Sequence, residues 1–346
     1  MARMTQTPGH RVAAAPSMQD VADRAGVAIG TVSNVLNRPD RVRSSTRQKV
    51  EAAIAELGFV RNSAARNLAA GSSNLIGLVI ADIGNSFFVD IARGVETASA
   101  AVGLQLLLAN SDVDLRRQDQ FLNLFDEARA AGLILAPLDG PLAAARTVSS
   151  HGRPMVLVNA PSVVDDLCNV RIDDHLGGQL ATRHLIEQGC QRLAYIGGPF
   201  SLNAVRNRRD GAGEAARDVG VPLGVIETAG LKASHGREAA QALLAKGQQV
   251  DGIICASDWL AAGVVSTVVS LGIEVPRDLA VIGYDDNHFA ADSLIPLSTI
   301  GQSGYRMGQL ATELLLEEMA AQAHRHRSLR IEPNLIVRRS SQRNAR

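Results

Sequence analysis

Seven short apolar runs recur between residues 76 and 282, and each is closely followed by Gly, Asn, Asp, Ser or Pro. They occupy residues 76–81, 104–108, 132–136, 155–158, 193–196, 252–255 and 279–282. Amphipathic stretches with helical spacing separate the runs, which is the pattern of an α/β fold with doubly wound parallel sheets. About 270 residues of the 346-residue chain show this pattern. Because this exceeds one typical domain, we predict two lobes with a ligand-binding cleft between them.

Residues 17–37 predict two short amphipathic helices that are broken at Gly26. Ser17 and Asp20 have the spacing of a capping box, and Gly26 tolerates the positive φ of a sharp turn. A third helix is predicted from Ser44 or Ser45. The apolar positions expected to face a common core are Val21, Ala22, Ala25, Val32, Val35, Leu36, Val50, Ala53, Ile54 and Leu57. This spacing fits a small all-α helix-turn-helix head, and it also fits a helical hairpin within a larger bundle.

The charge distribution favours the DNA-binding interpretation of these helices. The whole chain has 35 basic and 35 acidic residues. Residues 1–73 carry ten Lys and Arg against five Asp and Glu, whereas residues 74–346 carry 25 against 30. A basic head on an acidic body is typical of a protein in which only one end faces DNA phosphates.

Longer motifs extend this interpretation along the chain. Residues 20–37 read D-V-A-D-R-A-G-V-x-x-x-T-V-S-x-V-L-N, and residues 46–59 read T-R-Q-K-V-E-A-A-I-A-E-L-G-F. These are followed by N-S-A-A-R-N-L, I-G-L-V-I-A-D-I-G-N-S-F-F, I-G-G-P, V-P-R-D-L-A-V-I-G-Y-D-D and L-S-T-I-G-Q. In this order the sequence resembles the LacI/GalR family of bacterial transcription regulators. The resemblance implies a body with the periplasmic-binding-protein type I fold and three crossovers between its lobes.

Five segments are expected along the chain. They are a disordered arm at 1–16, a helix-turn-helix domain at 17–61, a hinge helix and linker at 62–73, a two-lobed effector-binding and dimerisation domain at 74–341, and a tail at 342–346. We expect the N-lobe at about 74–161 and 300–331, and the C-lobe at about 162–299 and 332–341.

The resemblance assigns base reading to Ile29, Gly30 and Asn34 at the start and middle of the second helix. Ile29 offers only apolar contact and Gly30 no side chain, whereas Asn34 can pair with adenine through two hydrogen bonds. Ala28 stands where Ser or Thr is usual, so we expect this helix to lack a side-chain cap. The complete set of expected DNA contacts is Ile29, Gly30, Thr31, Ser33, Asn34, Asn37, Thr46, Asn62, Arg66 and Leu68.

Residues 62–70 form a short Ala-rich segment with an Asn at its start and Gly71 after it. Such a segment is too short to be a stable helix alone in water, so it needs a partner to fold. It resembles the family's hinge helix, which implies that two copies pack in the minor groove and that Leu68 inserts between base pairs. A linker helix without that role is the alternative that spacing leaves open.

Effector contacts are expected where the predicted strands end, because ligands bind at the carboxyl ends of open α/β sheets. The resemblance places a ligand-binding carboxylate and guanidinium at Asp285 and Arg208. Phe87 and Phe88 offer a ring for stacking, although one of the pair is expected in the core, and Trp259 is either a stacking residue or a core residue. The full predicted set is Asn85, Phe87, Phe88, Asp139, Asn159, Arg208, Asp258, Trp259, Asp285 and Gln302.

Enzymatic and metal-binding motifs are missing from the sequence. It contains no H-E-x-x-H, no C-x-x-C and no G-x-G-x-x-G. Cys168, Cys190 and Cys255 are widely separated, and we interpret His324 and His326 as part of a solvated basic surface. We therefore expect no catalytic residues, no metal site and no cofactor.

These observations predict a ligand-responsive transcriptional regulator, most simply a repressor that binds a palindromic operator as a homodimer. A sugar-like effector between the lobes would control its affinity for DNA. The alternative is a solute-binding or sensing module without a transcriptional role, which requires a signal peptide and no basic head. Residues 1–16 lack the apolar core of a signal peptide, and no run reaches the roughly 18 apolar residues of a membrane span. We expect a cytoplasmic, nucleoid-associated protein with no membrane partner.

Overall fold

The structure, a computed structural model, describes residues 16–59, 73–138, 142–162, 166–245, 249–321 and 323–343. The chain divides into two compact units, residues 1–71 and residues 72–346, which we describe separately.

The first unit contains the expected three helices, α1 (Met18–Ala25), α2 (Ile29–Asn37) and α3 (Ser44–Leu57), with a 3-10 turn at Pro39–Arg41. The predicted capping box is present, because the Ser17 hydroxyl accepts from the Asp20 amide at 3.2 Å and the Ser17 amide donates to the Asp20 carboxylate at 2.7 Å. Gly26 has a φ of 64°. The buried core consists of Val21, Ala22, Val32, Val35, Val50 and Ala53. Four other positions predicted as core are only partly buried because they lie at the margin of this small cluster: Ala25, Leu36, Ile54 and Leu57.

The second unit contains a six-stranded parallel sheet with the order β11-β5-β4-β3-β1-β2. Its strands are β1 (Leu75–Ile80), β2 (Gln105–Asn110), β3 (Gly132–Leu135), β4 (Met155–Val158), β5 (Cys168–Ile172) and β11 (Ser328–Ile331). The helices that accompany it are α4 (Ser86–Ala100), α5 (Leu115–Glu127), α6 (Ala143–Ser150) and α12 (Gly304–Ala320). Leu78 and Val79, neighbours on β1, belong to different apolar clusters. The central strand β1 is therefore buried on both faces, as a doubly wound fold requires.

A four-stranded parallel sheet with the order β7-β6-β8-β9 forms the second lobe. Its strands are β6 (Leu193–Gly197), β7 (Leu223–Glu227), β8 (Gly252–Cys255) and β9 (Ala280–Ile282). Its helices are α7 (Asp174–Glu187), α8 (Asn203–Asp218), α9 (Ala233–Ala245), α10 (Asp258–Ser270) and α11 (Phe289–Asp292). A further antiparallel pair joins β10 (Thr299–Gly301) to β12 (Asn334–Ile336), and a 3-10 turn follows at Arg339–Ser341.

Three segments connect the two lobes, as the resemblance implied: the chain crosses after β5, before α12 and after β11. All seven predicted strands are present. The lobe boundary expected near residue 162 differs from the structure, because β5 pairs with β4 and β11 in the first sheet. The chain therefore leaves the first lobe only at Asp173.

No helix in the part of the chain that the structure describes is long and apolar enough to span a membrane.

Candidate functional site

Arg208 on α8 places a charged guanidinium inside the second lobe, where its side chain is almost fully buried. Its Nε donates to Asp174 Oδ1 at 2.7 Å, and its Nη1 donates to the Ala256 carbonyl at 2.7 Å. The same Nη1 lies 3.4 Å from Asp285 Oδ1, and the guanidinium carbon lies 3.7 Å from the centre of the Tyr284 ring. Burial by itself would lower the pKa of Arg208, but Asp174, Tyr284 and Asp285 outweigh it and raise this pKa. The guanidinium therefore stays charged.

Two glycines bring α7 and α8 close enough for this pairing. A Cβ at Gly178 would lie 2.0 Å from the Arg208 carbonyl oxygen, and a Cβ at Gly211 would lie 2.0 Å from the His175 carbonyl oxygen. Any side chain at either position would push the helices apart. Since α7 carries Asp174 and α8 carries Arg208, this close contact sets the geometry of the ion pair.

Asp285 is the residue where the predicted contacts converge. Its carboxylate accepts hydrogen bonds from Asn85 Nδ2 at 3.0 Å, from Gln302 Nε2 and from Arg208. Its backbone has a φ of 105°, an uncommon value for a residue with a side chain, and its amide donates to the Ile300 carbonyl at 2.9 Å. Strained backbone of this kind persists where surrounding contacts fix it, often at binding sites. Burial raises the pKa of Asp285 to about 6.

Residues 285–288, which we call the interlobe loop, join the second lobe to α4 of the first lobe. Besides the bond from Asn85 to Asp285, the Ser86 amide donates to Asn287 Oδ1 at 2.9 Å, and the His288 amide donates to Ser86 Oγ at 3.0 Å. The His288 ring lies 3.1 Å from a carboxylate oxygen of Asp90. Any ligand that changes the position of Asp285 therefore acts on both lobes.

Several buried polar atoms in or beside this loop have no hydrogen-bond partner among the described residues. They are Gln302 Oε1, Asn287 Nδ2, Asp258 Oδ1 and the Tyr284 hydroxyl. Gln302 contacts Asp285, and Asp258 contacts Asn287. Asn159, which directly follows β4, also has an unpaired Oδ1. Because buried polar groups are nearly always paired, this group of unpaired atoms indicates a place for a polar ligand.

The aromatic residues have different environments. Phe87 is 3% exposed and belongs to the core of the first lobe, while Phe88 is partly buried beside it with the ring centres 5.3 Å apart. Of the two, Phe88 is thus the ring that retains access for stacking. Trp259 is 40% exposed and packs on Phe289 at 4.4 Å between ring centres, so it lies outside the core.

Two further predicted contacts need separate comment. Asp258 is fully buried, and its Oδ2 accepts from the Asn287 amide at 2.7 Å. Burial raises its pKa well above the usual value. This contact holds the interlobe loop, while Asp258 Oδ1 has no described partner, so its role in effector binding stays a prediction. Asp139 lies outside the described residues.

Sequence reasoning missed Asp174, Tyr284 and Asn287, which contact the predicted residues directly. Asp174 follows β5, a strand whose sequence C-N-V-R-I lacks a continuous apolar run. Tyr284 and Asn287 lie directly before and after Asp285 and Asp286 in the sequence. Their position next to a predicted contact is the sequence signal that could have identified them.

The head presents six of the predicted DNA-contact residues on α2, and Thr46 lies on α3. Ile29, Gly30, Asn34 and Asn37 on α2 are exposed. Thr31, Ser33 and Thr46 are partly buried. Asn62, Arg66 and Leu68 lie outside the described residues. Ala28 precedes α2 without a side-chain hydrogen bond, as expected.

His324 and His326 differ from the solvated surface that sequence reasoning assigns to them. Both are partly buried, and the Nε2 atom of His324 lies 3.1 Å from the Cys168 sulfur. The fold brings them to the start of β5, which no local sequence signal indicates.

Comparison with known proteins gives two family matches. Residues 17–62 match the family described as bacterial regulatory proteins, lacI family, and residues 182–341 match the periplasmic binding protein-like domain. The ribose operon repressor of Bacillus subtilis (strain 168) is 35% identical over 300 residues, which cover 87% of this chain and 90% of that protein.

Solved structures agree with this similarity. The Lac repressor dimer bound to operator and the anti-inducer ONPF has a TM-score of 0.80 at 26% identity, covering 94% of this chain and 99% of that one. A LacI family transcriptional regulator from Enterococcus faecium with bound ribose has a TM-score of 0.71 at 25% identity, covering 77% and 98%.

The close approach of α7 and α8 predicts the effect of Gly178→Ala. The added methyl group would overlap the Arg208 carbonyl, so we expect the free energy of unfolding to fall by about 1–3 kcal/mol. Gly213→Ala on α8 is the matched control, since a Cβ there would meet only the flexible Arg217 side chain at 3.1 Å. Urea unfolding measures both variants. Equal stability of the two variants would contradict the packing argument.

Proposed function

Because the chain belongs to the lacI family of bacterial regulatory proteins, we propose that it is a sugar-controlled transcriptional repressor. The observation that carries the proposed control is the convergence of Asn85, Arg208 and Gln302 on Asp285, beside buried polar atoms that have no described partner. Its effector is a neutral monosaccharide of the ribose class.

The pairing of charges supports a neutral ligand. Arg208 is held between Asp174 and Asp285, so its positive charge is already balanced and suits a hydroxyl better than a phosphate. The Asp285 carboxylate and the side-chain amides of Asn85 and Gln302 provide the mixed acceptors and donors that ring hydroxyls require. The name of the Bacillus subtilis relative and the ribose bound to the Enterococcus faecium structure support the same class of sugar.

On DNA, α2 would lie in the major groove, with Asn34 contacting adenine and Ile29 contacting a thymine methyl group. Thr31, Ser33, Asn37 and Thr46 would position the helix on the duplex. Two copies would bind a palindromic operator as a homodimer, a state that the operator-bound Lac repressor dimer supports. Asn62, Arg66 and Leu68 would then act in the paired hinge segments, with Leu68 inserted in the minor groove.

The interlobe loop provides the physical coupling. A sugar bound at Asp285 competes for the carboxylate oxygens that Asn85 contacts in α4, so binding shifts the relative position of the lobes. In a dimer, that shift changes the spacing of the hinge segments. Allosteric coupling of this kind amounts to roughly 1–3 kcal/mol, or about 5- to 150-fold in affinity.

Two other functional classes have less support. A solute-binding module without a transcriptional role would not need a DNA-binding segment, whereas residues 17–62 match the lacI family. The reported relatives are regulators, so we propose that binding, without catalysis or a cofactor, is the activity of this chain. Action on chromosomal DNA would place the protein in the cytoplasm at the nucleoid.

Asp285→Asn tests the effector site. Loss of the carboxylate removes charge-assisted hydrogen bonds worth about 1.5–3 kcal/mol, so D-ribose affinity measured by calorimetry should fall roughly 10- to 150-fold. Asp286→Asn is the control, because Asp286 pairs with Arg338 at 2.8 Å. Ligand-free binding to a selected operator should persist in both variants. Unchanged ribose affinity in Asp285→Asn would contradict the site, and unfolding, seen by circular dichroism, would give Asp285 a structural role.

The raised pKa of Asp285 predicts pH-dependent binding. Above about pH 6 the carboxylate is ionised and accepts hydrogen bonds from sugar hydroxyls, whereas below that pH it is protonated and loses acceptor capacity. Ribose affinity should therefore fall as the pH is lowered through about 6. Calorimetry across this range measures the change, and the Asp285→Asn variant should show a flatter profile. Identical profiles for the two proteins would contradict the assignment.

Asn34→Ala tests the DNA-reading surface. Removal of a bidentate contact to adenine should cost about 1–3 kcal/mol and relax the preference at one base pair. Selection from randomised duplexes followed by sequencing measures the preference. Gln19→Ala on α1 is the control, since it removes an exposed amide from a helix that is not proposed to read bases. The assignment fails if Asn34→Ala retains the base preference of the unaltered protein.

A further inference from the structure

A cluster of four potential metal ligands lies in the first lobe, apart from the effector site. Cys168 begins β5, Glu318 lies in the last turn of α12, and His324 and His326 follow in the connection from α12 to β11. One ligand atom from each of these side chains lies within 4.8 Å of all the others. One thiol, two imidazoles and one carboxylate thus converge from three separate parts of the fold.

The contacts within this cluster are close. The Cys168 sulfur lies 3.1 Å from His324 Nε2 and also accepts from the Arg327 amide at 3.3 Å. The two imidazole rings meet edge to face with their centres 5.4 Å apart. Because ligand atoms around a tetrahedral ion are separated by less than 4 Å or so, only small side-chain movements are needed to enclose one.

Two atoms of the cluster are left without partners. Glu318 Oε2 and His326 Nδ1 are buried, and neither has a hydrogen-bond partner among the described residues. Buried atoms of this kind usually have a partner, since an unpaired one costs free energy. A cation between the four side chains would pair with the Glu318 carboxylate and accept the His326 imidazole as a ligand, so neither atom would remain unpaired.

We propose that Cys168, Glu318, His324 and His326 form a structural Zn²⁺ site. One thiolate sulfur, two imidazole nitrogens and one carboxylate oxygen are ligand types that zinc accepts in tetrahedral geometry, whereas Mg²⁺ and Ca²⁺ prefer oxygen alone. The thiolate and the carboxylate together balance the two positive charges of the ion. Four protein ligands leave no position open for a substrate, which is typical of structural sites.

The chemistry of Cys168 is compatible with this role. Burial raises the pKa of its thiol, an effect that a bound cation opposes. Zinc binding stabilises the thiolate and releases the proton to solvent. Burial likewise raises the pKa of Glu318, which a bound cation also opposes.

The position of the cluster indicates what the ion would stabilise. β11 is one of the two edge strands of the six-stranded sheet, and it pairs with β5 starting from Ser328 and Asn169. Just before this pairing, the Asn169 amide donates to the Arg327 carbonyl at 2.9 Å. Zinc would tie the end of α12 and the connection before β11 to the start of β5. The site lies at the amino ends of these strands, whereas the effector residues follow carboxyl ends.

Metal analysis of the purified full-length protein tests the proposal. After chelation and reloading with ZnCl₂, we expect one zinc per chain by mass spectrometry and a melting temperature several degrees above that of the chelated protein. Reloading with Co²⁺ should produce the thiolate-to-cobalt charge-transfer band and the strong visible absorption of a tetrahedral site. Absence of bound zinc, or a cobalt spectrum without the thiolate band, would overturn the proposal.

Substitutions within and outside the cluster test which residues bind the ion. His326→Gln removes a ligand near the surface and should weaken zinc binding at least 100-fold, and Cys168→Ser should abolish the cobalt charge-transfer band. His235→Gln and Cys190→Ser are controls, since neither residue belongs to the cluster, and both should retain one zinc per chain. If His326→Gln, folded by circular dichroism, binds zinc as tightly as the controls, the site is elsewhere and the proposal is wrong. Ribose affinity should be unchanged in His326→Gln.

Discussion

The buried charge of Arg208 is the constraint on which the rest of the body depends. An isolated guanidinium in a protein interior costs several kcal/mol, and loss of one partner of a buried ion pair costs about 3–5 kcal/mol. Arg208 avoids this cost through Asp174 at the start of α7, the carbonyl of Ala256 after β8 and Asp285 after β9. The ends of three separate elements must therefore stay in register with α8. The backbones of α7 and α8 touch at Gly178 and Gly211, so this register leaves no room for a side chain at either position.

The same network explains how a small ligand can act over a distance. Asp285 takes part in the Arg208 ion pairs within the second lobe and in the Asn85 hydrogen bond to the first lobe. Ser86 and Asp90 extend this connection along α4 through Asn287 and His288. In the proposed function, a sugar that forms hydrogen bonds with Asp285 would change contacts in both lobes at once. Differential contacts of this kind are the physical requirement for a ligand to shift a conformational equilibrium.

Much of this organisation was predictable where the signal is local. Apolar runs identified strands such as β1, β3 and β4. Motif positions pointed to Arg208, Asp285, Asn85 and Gln302, whose side chains meet in the structure. β5 escaped because Asn169 and Arg171 interrupt its apolar pattern, and β7 because its continuous apolar run is only Val225 and Ile226. Such strands are defined by their neighbours in the sheet, and this information is not local.

The unpredicted parts of the site depend on tertiary contacts. Asp258 is fully buried, and its hydrogen bond with the Asn287 amide joins residues that are 29 positions apart in sequence. Asp174 faces Arg208 across a distance of 34 residues in sequence, and Cys168 faces His324 across 156. Both separations are too long for a local sequence motif to identify the two partners. Both the ion pair and the metal-ligand cluster are properties of how the sheets and helices assemble.

The most direct test of the account is whether sugar binding and DNA binding are coupled. Operator affinity of the full-length protein is measured by fluorescence anisotropy on a duplex from selection, with and without saturating D-ribose, while calorimetry verifies that the sugar is bound. We expect bound ribose to change operator affinity by about 5- to 150-fold, and operator to change ribose affinity by the same factor in the same direction. Equal operator affinity with and without bound ribose would contradict this coupling.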